Sequence, residues 1–143
     1  MRRYALLMFL LSAFTVQAEK MDVLKICPDK PNCVSSQASR QQQQIAPIVY
    51  IGDQVTAIQN LKQLMLDLPR VQLVSEKNHY LHFSVTTAVF RFVDDVEFIF
   101  DDTSKVIHVR SASRVGYSDM GVNRKRVENI RQLFQTIDAH SAN

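Results

Sequence analysis

The 143 residues contain no tryptophan, three glycines, two cysteines and four histidines. So few glycines exclude a collagen-like repeat. The cysteines have no histidine nearby to complete a four-ligand metal site. His79, His82, His108 and His140 show no metal-ligand spacing: His79 and His82 fall on opposite faces of an expected strand, and His140 lies near the chain end. No apolar run approaches the ~18 to 20 residues that span a bilayer. Charge of one sign is not in excess either, with 17 Lys plus Arg against 14 Asp plus Glu. What is present, 46% hydrophobic and 22% charged residues, excludes disorder and a coiled coil and leaves room for one domain at most.

Arg2 and Arg3 precede the mostly apolar stretch Tyr4 to Val16, and Val16-Gln17-Ala18 places small residues before Glu19. This is the pattern of a secretory signal peptide over 1–18, preferred to a membrane anchor because the apolar run is short. Cleavage near Ala18 predicts an exported chain, periplasmic or secreted, with no transmembrane span. Removing Arg2 and Arg3 leaves 15 basic residues against 14 acidic, a net charge of +1. A generic role on nucleic acid or on anionic membranes then has no support from total charge.

Cys27 and Cys33 are separated by Pro28-Asp29-Lys30-Pro31-Asn32. In an oxidising compartment a local disulfide is the expected reading, contributing about 2 kcal/mol in the chain-entropy model. A redox pair would have closer spacing, and charged residues separate Cys27 from the apolar segment that a lipidated cysteine would follow directly. Residues 19–52 therefore read as a disulfide-clasped loop and extended arm, and 53–143 as the folded domain.

Asp53 is a credible N-cap for a helix over Gln54 to Leu68, where Val55, Ile58, Leu61, Leu64, Met65 and Leu68 recur at three-and-four spacing before Pro69. The period then becomes two. Strands are expected around Val71 and Leu73, around Leu81 to Val85, over Phe90 to Phe100 and over Lys105 to Ala112, with a loop at Glu76-Lys77-Asn78 and a turn at 101–104. Parity pairs Val71 with Phe83 in the first hairpin. In the second it pairs Phe98 with Ile107, Glu97 with His108 and Asp95 with Arg110. Val127, Ile130, Leu133, Phe134 and Ile137 define a final helix. The expected fold is α+β: a four-stranded antiparallel meander with an N-terminal and a C-terminal helix on one face, a two-layer sandwich.

The densest polar segment is Arg110 to Arg126, which holds five basic residues, Gly116 and Gly121. Arg110, Arg114, Arg124 and Arg126 can supply bidentate donors to a carboxylate or phosphate, and a loop entering a helix exposes N–H groups to an anion. Equally, Asp119 can cap that helix and Asp95 can neutralise Arg110. Asp94 shares the parity of Phe92 and Val96, so a continuous strand points a carboxylate at the apolar layer. Such a charge needs an Arg from the loop, Ser111 with backbone N–H groups, or a break in the strand. Asn123 lies on the inward stripe of the last helix. A network of Asp94, Ser111, Arg114 and Asn123 is the preferred reading, as a structural lock or as part of a binding site. The candidate binding set is Asp94, Asp95, Arg110, Ser111, Ser113, Arg114, Tyr117, Asp119, Asn123 and Arg124.

Cys-Pro-x-x-Pro-Asn-Cys-Val-Ser-Ser at 27–36, Asp-Asp-Val-Glu-Phe at 94–98 and Arg-Ser-x-Ser-Arg-Val-Gly-Tyr-Ser-Asp-x-Gly-Val-Asn-Arg-x-Arg-Val-Glu at 110–128 resemble the domain-of-unknown-function 1499 family. The resemblance spans nearly all of the expected mature chain. It implies a one-domain, often exported or envelope-associated protein, and transfers no catalytic residue and no cofactor.

A Ser111-His108-Asp95 set is conceivable, but no nucleophile turn accompanies it. The functional expectation is a non-catalytic envelope module binding an anionic small molecule, a lipid headgroup or a protein partner through Arg110 to Arg126. A hydrolase using the same cleft and a purely structural envelope protein are the alternatives.

Overall fold

Asp53 turns extended chain into helix: its Oδ1 accepts the Thr56 backbone N–H at 2.8 Å, satisfying a donor that the first turn leaves free. The computed structural model describes residues 23–141, so the expected leader lies outside the described residues. The elements are β1 (Cys33–Ser35), β2 (Ile48–Val49), α1 (Gln54–Asp67), β3 (Val71–Lys77), β4 (Tyr80–Thr86), β5 (Val93–Asp101), β6 (Val106–Ser113) and α2 (Val122–Ser141), with a 3-10 turn at Gln41–Gln43.

The fold is α+β, but the sheet has six strands where four are expected. Its order is β1-β6-β5-β4-β3, with β2 also paired to β6, all pairings antiparallel. The extra strands come from the arm. The free edge of β6 would expose unpaired backbone groups, and Cys33–Ser35 and Ile48–Val49 cover it in succession. Val34, Ile45, Ile48 and Tyr50 join one core cluster with Leu61 and Met65 of α1, Phe83, Val96, Phe98 and Val109 of the sheet, and Val127, Ile130 and Phe134 of α2. The buried Tyr50 donates its hydroxyl to Asp102 Oδ1 at 2.7 Å, and burial, then that carboxylate, push its phenol above the ordinary range.

Both hairpin registers differ from expectation. Val71 pairs with Val85 and Leu73 with Phe83, and an irregularity between Leu73 and Ser75 then lets Lys77 pair with Tyr80. A bulge absorbs one residue, so the loop is Asn78-His79 with Asn78 left-handed at φ 38°, and Glu76 and Lys77 belong to the strand. In the second hairpin Phe98 meets Val109 and Glu97 meets Arg110, two residues from the expected partners. Asp101 closes the turn by accepting the Thr103 and Ser104 N–H groups while Lys105 takes φ 54°. A slip of two residues keeps every side chain on its own face, so parity alone cannot detect it.

Phe90 and Phe92 are also displaced from the strand that parity suggests. Arg91 sits at φ 58°, β5 begins only at Val93, and the two phenyl rings stack on each other 5.7 Å apart in solvent. Leu133, placed on the inward stripe of the last helix, is exposed as well.

Candidate functional site

The β5–β6 register sets Asp94 opposite Ser113 and Val96 opposite Ser111 on the face that carries Phe98 and Val109. Asn123 and Arg126, one turn apart at the start of α2, reach the same place. Arg126 Nη2 donates to Asp94 Oδ2, and its Nη1 donates to Ser111 Oγ at 3.1 Å and to Asn123 Oδ1 at 2.6 Å. Asn123 Oδ1 also accepts from Ser111 Oγ at 2.6 Å. Its Nδ2 donates to Asn32 O, Ser113 Oγ and Asp119 Oδ2 at 3.1, 3.1 and 2.7 Å. The expected network therefore exists with one substitution: the arginine is Arg126, not Arg114. Arg114 emerges from the end of β6, and its side chain lies on the other face of the sheet.

Arg114 there grips Asp95 with two N–H groups at 3.0 and 2.9 Å, while His82 Nε2 lies 2.8 Å from the same carboxylate. Burial would raise the Asp95 pKa, but the hydrogen bonds from Arg114 and His82 and their charges outweigh it, and the carboxyl sits below its ordinary value. The expected Asp95–Arg110 pair does not form. Arg110 Nη1 donates to Glu97 Oε2 at 2.7 Å, and Tyr80 donates to Glu97 Oε1 at 2.8 Å. Glu97 is only 1% exposed although it points away from the α1–α2 core. His108, expected beside Glu97, pairs with Ile99 and places Nδ1 3.3 Å from Ser36 Oγ.

The Asp95 shift has a testable sign. A carboxyl with a depressed folded pKa contributes stability above its unfolded pKa and loses it as pH falls through the folded value. Arg114→Ala weakens the depression, so the acid-unfolding midpoint is expected to move to higher pH. At neutral pH the melting temperature should change by only a few degrees, because an exposed ion pair contributes about 0–1 kcal/mol. Circular dichroism at a series of pH values checks both parts.

The strand ends at Thr86, Val93 and Ser113 carry two loops, 87–92 and 114–121, joined by the Arg114 N–H to Val93 O bond of 3.1 Å. The clasp meets them: Cys27 and Cys33 form a disulfide, S–S 2.02 Å, and Asn32 Nδ2 donates to Gly116 O at 2.9 Å. Asp119 caps α2, its Oδ1 accepting from Gly121 N–H and its Oδ2 from Asn123 N–H, both at 2.9 Å, so its carboxylate fills the place of an incoming anion. Arg124 is spent on the arm, donating to Gln42 O and Gln44 O at 3.0 and 2.9 Å. Tyr117 alone of the candidate set stands largely free of the body, 70% exposed. Val115 and Met120 of its own loop and Val89, Phe90 and Phe92 of the other are exposed as well.

The candidate residues thus divide into an inner group (Asp94, Ser111, Ser113, Asp119 and Asn123), an outer group (Asp95, Arg110 and Arg114), an arm-binding Arg124 and an exposed Tyr117. Ser111, His108 and Asp95 are not assembled as a triad, since each binds a different partner. No group of three or more His, Cys, Asp or Glu side chains is placed to hold a metal among the described residues. Arg126 and Glu97 are the central residues absent from the candidate set, with Asn32, Tyr80 and His82 beside them. A signal for Arg126 was available: with Asn123, Val127 and Ile130 it completes an i, i+3, i+4, i+7 stripe. Glu97 carried none, since its parity marks it as a solvated outer residue.

These features define a class: an α+β domain whose polar motifs are spent on internal ion pairs across both faces of one strand pair. The particular family follows from the sequence. The model described as "Protein of unknown function (DUF1499)" matches residues 23–134, and the chain belongs to that family. No curated protein and no solved structure matches it.

Proposed function

We propose that this protein is an exported, non-catalytic envelope module that makes contact with its partner through the loop end of the sheet. The Arg110 to Arg126 segment serves two purposes in this reading. Arg110, Arg114 and Arg126 hold the framework through Glu97, Asp95 and Asp94. The residues between them, Val115 to Met120, form the contact. The observation that carries the proposal is this division: the motif's arginines are engaged inside the chain, while its apolar side chains, with those of 87–92, stand in solvent. Large apolar side chains exposed on two loops at one end of a folded chain mark an interaction site. Export rests on the Arg2 to Ala18 pattern, and the clasp and the absence of a membrane-crossing helix among the described residues are compatible with it.

The test places a photo-cross-linking phenylalanine analogue at Tyr117 and, for comparison, at the exposed Val49 in β2, whose strand pairs with the opposite end of β6. In living cells the 117 position is expected to give a discrete adduct in the envelope fraction and the 49 position none. Adducts equal at both positions, or at 49 and not at 117, would remove this reading.

A further inference from the structure

We infer that the loop end is a peripheral membrane contact that seats on an anionic lipid surface. This rests on the proposed contact role and names its partner. The two loops expose Met120 at 91%, Val89 at 80%, Phe90 at 76% and Tyr117 at 70%. Arg91 and Met120, near the ends of the two loops where β5 and α2 begin, hold left-handed backbone at φ 58° and 52°, a conformation costly for side chains other than glycine. Both side chains stand in solvent. Aromatic and aliphatic tips flanked by cations match the interfacial layer of a bilayer, which accepts apolar bodies without a shaped pocket.

Charge selects an anionic surface. Within 87–92 and 114–121 the charged residues are Arg91, Arg114 and Asp119, and Asp119, still negative, directs both oxygens onto the N-terminus of α2. Asp94 and Asp95 just behind are ion-paired with Arg126 and Arg114, so Arg114 adds no net charge and Arg91 is the cation of the loops that counts. Arg70 is exposed beside the same edge, where its Nε donates to Thr86 O at 3.0 Å, and Lys125 is exposed in the first turn of α2. The carboxylates of Asp53, Asp101 and Asp102 lie at the opposite end, around the β5–β6 turn and the start of α1. The expected mature charge of +1 gives no attraction by itself; its sidedness does. A protein partner would instead present a fixed complementary surface, and it is retained as an outcome of the test.

The experiment is cosedimentation of the purified chain, lacking the leader and with its disulfide intact, with vesicles rich in phosphatidylglycerol and with vesicles of phosphatidylcholine alone. Binding is expected on the anionic vesicles and should weaken with salt. Phe90→Ser and Met120→Ser are each expected to reduce it about tenfold, and Arg91→Gln about fivefold, with unchanged melting temperatures. Val49→Ser, at the opposite end, should bind as the parent does. Equal partitioning to both vesicle types, or full binding by the Phe90→Ser/Met120→Ser variant, would overturn the inference. A discrete protein adduct at position 117 with no vesicle binding would overturn the lipid assignment while leaving the contact role standing. Absence of both adduct and vesicle binding would remove both.

Discussion

Replacing Arg126 with methionine is expected to lower the melting temperature by roughly 10–20 °C. The change removes the charge opposite Asp94, whose side chain is 2% exposed, and leaves that carboxylate inside the layer formed by Val96, Phe98 and Val127. Breaking a buried ion pair from one side costs about 3–5 kcal/mol. For a domain of this size each kcal/mol is worth about 4 °C. The loss is also a large share of the about 5–15 kcal/mol that holds a typical domain together. Ser111 Oγ and Asn123 Oδ1 each lose a partner in the same step, so the network fails together. Differential scanning calorimetry of Arg126→Met and of Asp94→Leu/Arg126→Met separates the causes. The double variant should recover most of the loss, because an apolar pair can replace a buried ion pair at little cost. A melting temperature within a few degrees of the parent for Arg126→Met alone would refute the assignment of this pair as the lock between sheet and helix.

How far the sequence led depends on what each pattern encodes. The α1 helix, its Asp53 cap and the disulfide follow from local chemistry, and each stands as expected. Strand faces follow from a period of two, but partners do not, because a two-residue slip leaves the faces unchanged. That slip redirected Arg110 from Asp95 to Glu97 and left Arg114 to take Asp95. The arm read as loop because β1 and β2 have three and two residues, too few to show a period; the unpaired edge of β6 gives them their strand form. Phe90 and Phe92 carried strand parity into a loop. What separates them from the strand is the left-handed Arg91, a conformation that residue type does not announce.

Glu97→Ala is the second large loss, and it falls on the other side of the same two strands. Arg110, 9% exposed in its side chain, would keep its charge without the carboxylate that balances it, and Tyr80 would lose the acceptor for its hydroxyl. The expected cost is again about 3–5 kcal/mol, read as a comparable fall in melting temperature. Glu97→Gln should lose less, since an amide oxygen can still accept from Tyr80 or Arg110. A fall no larger than that of Arg114→Ala would refute the assignment of the Glu97–Arg110 pair as a structural lock on the outer face. The two buried pairs share no hydrogen-bond partner and lie on opposite faces. Their losses should therefore add. In Glu97→Ala/Arg126→Met the sum, about 6–10 kcal/mol, reaches the whole stability of an ordinary domain, and the chain should be unfolded at room temperature. A double-variant loss clearly smaller than the sum of the two single losses would mean that β5 and β6 transmit strain between the faces and that the first substitution had already released part of the second.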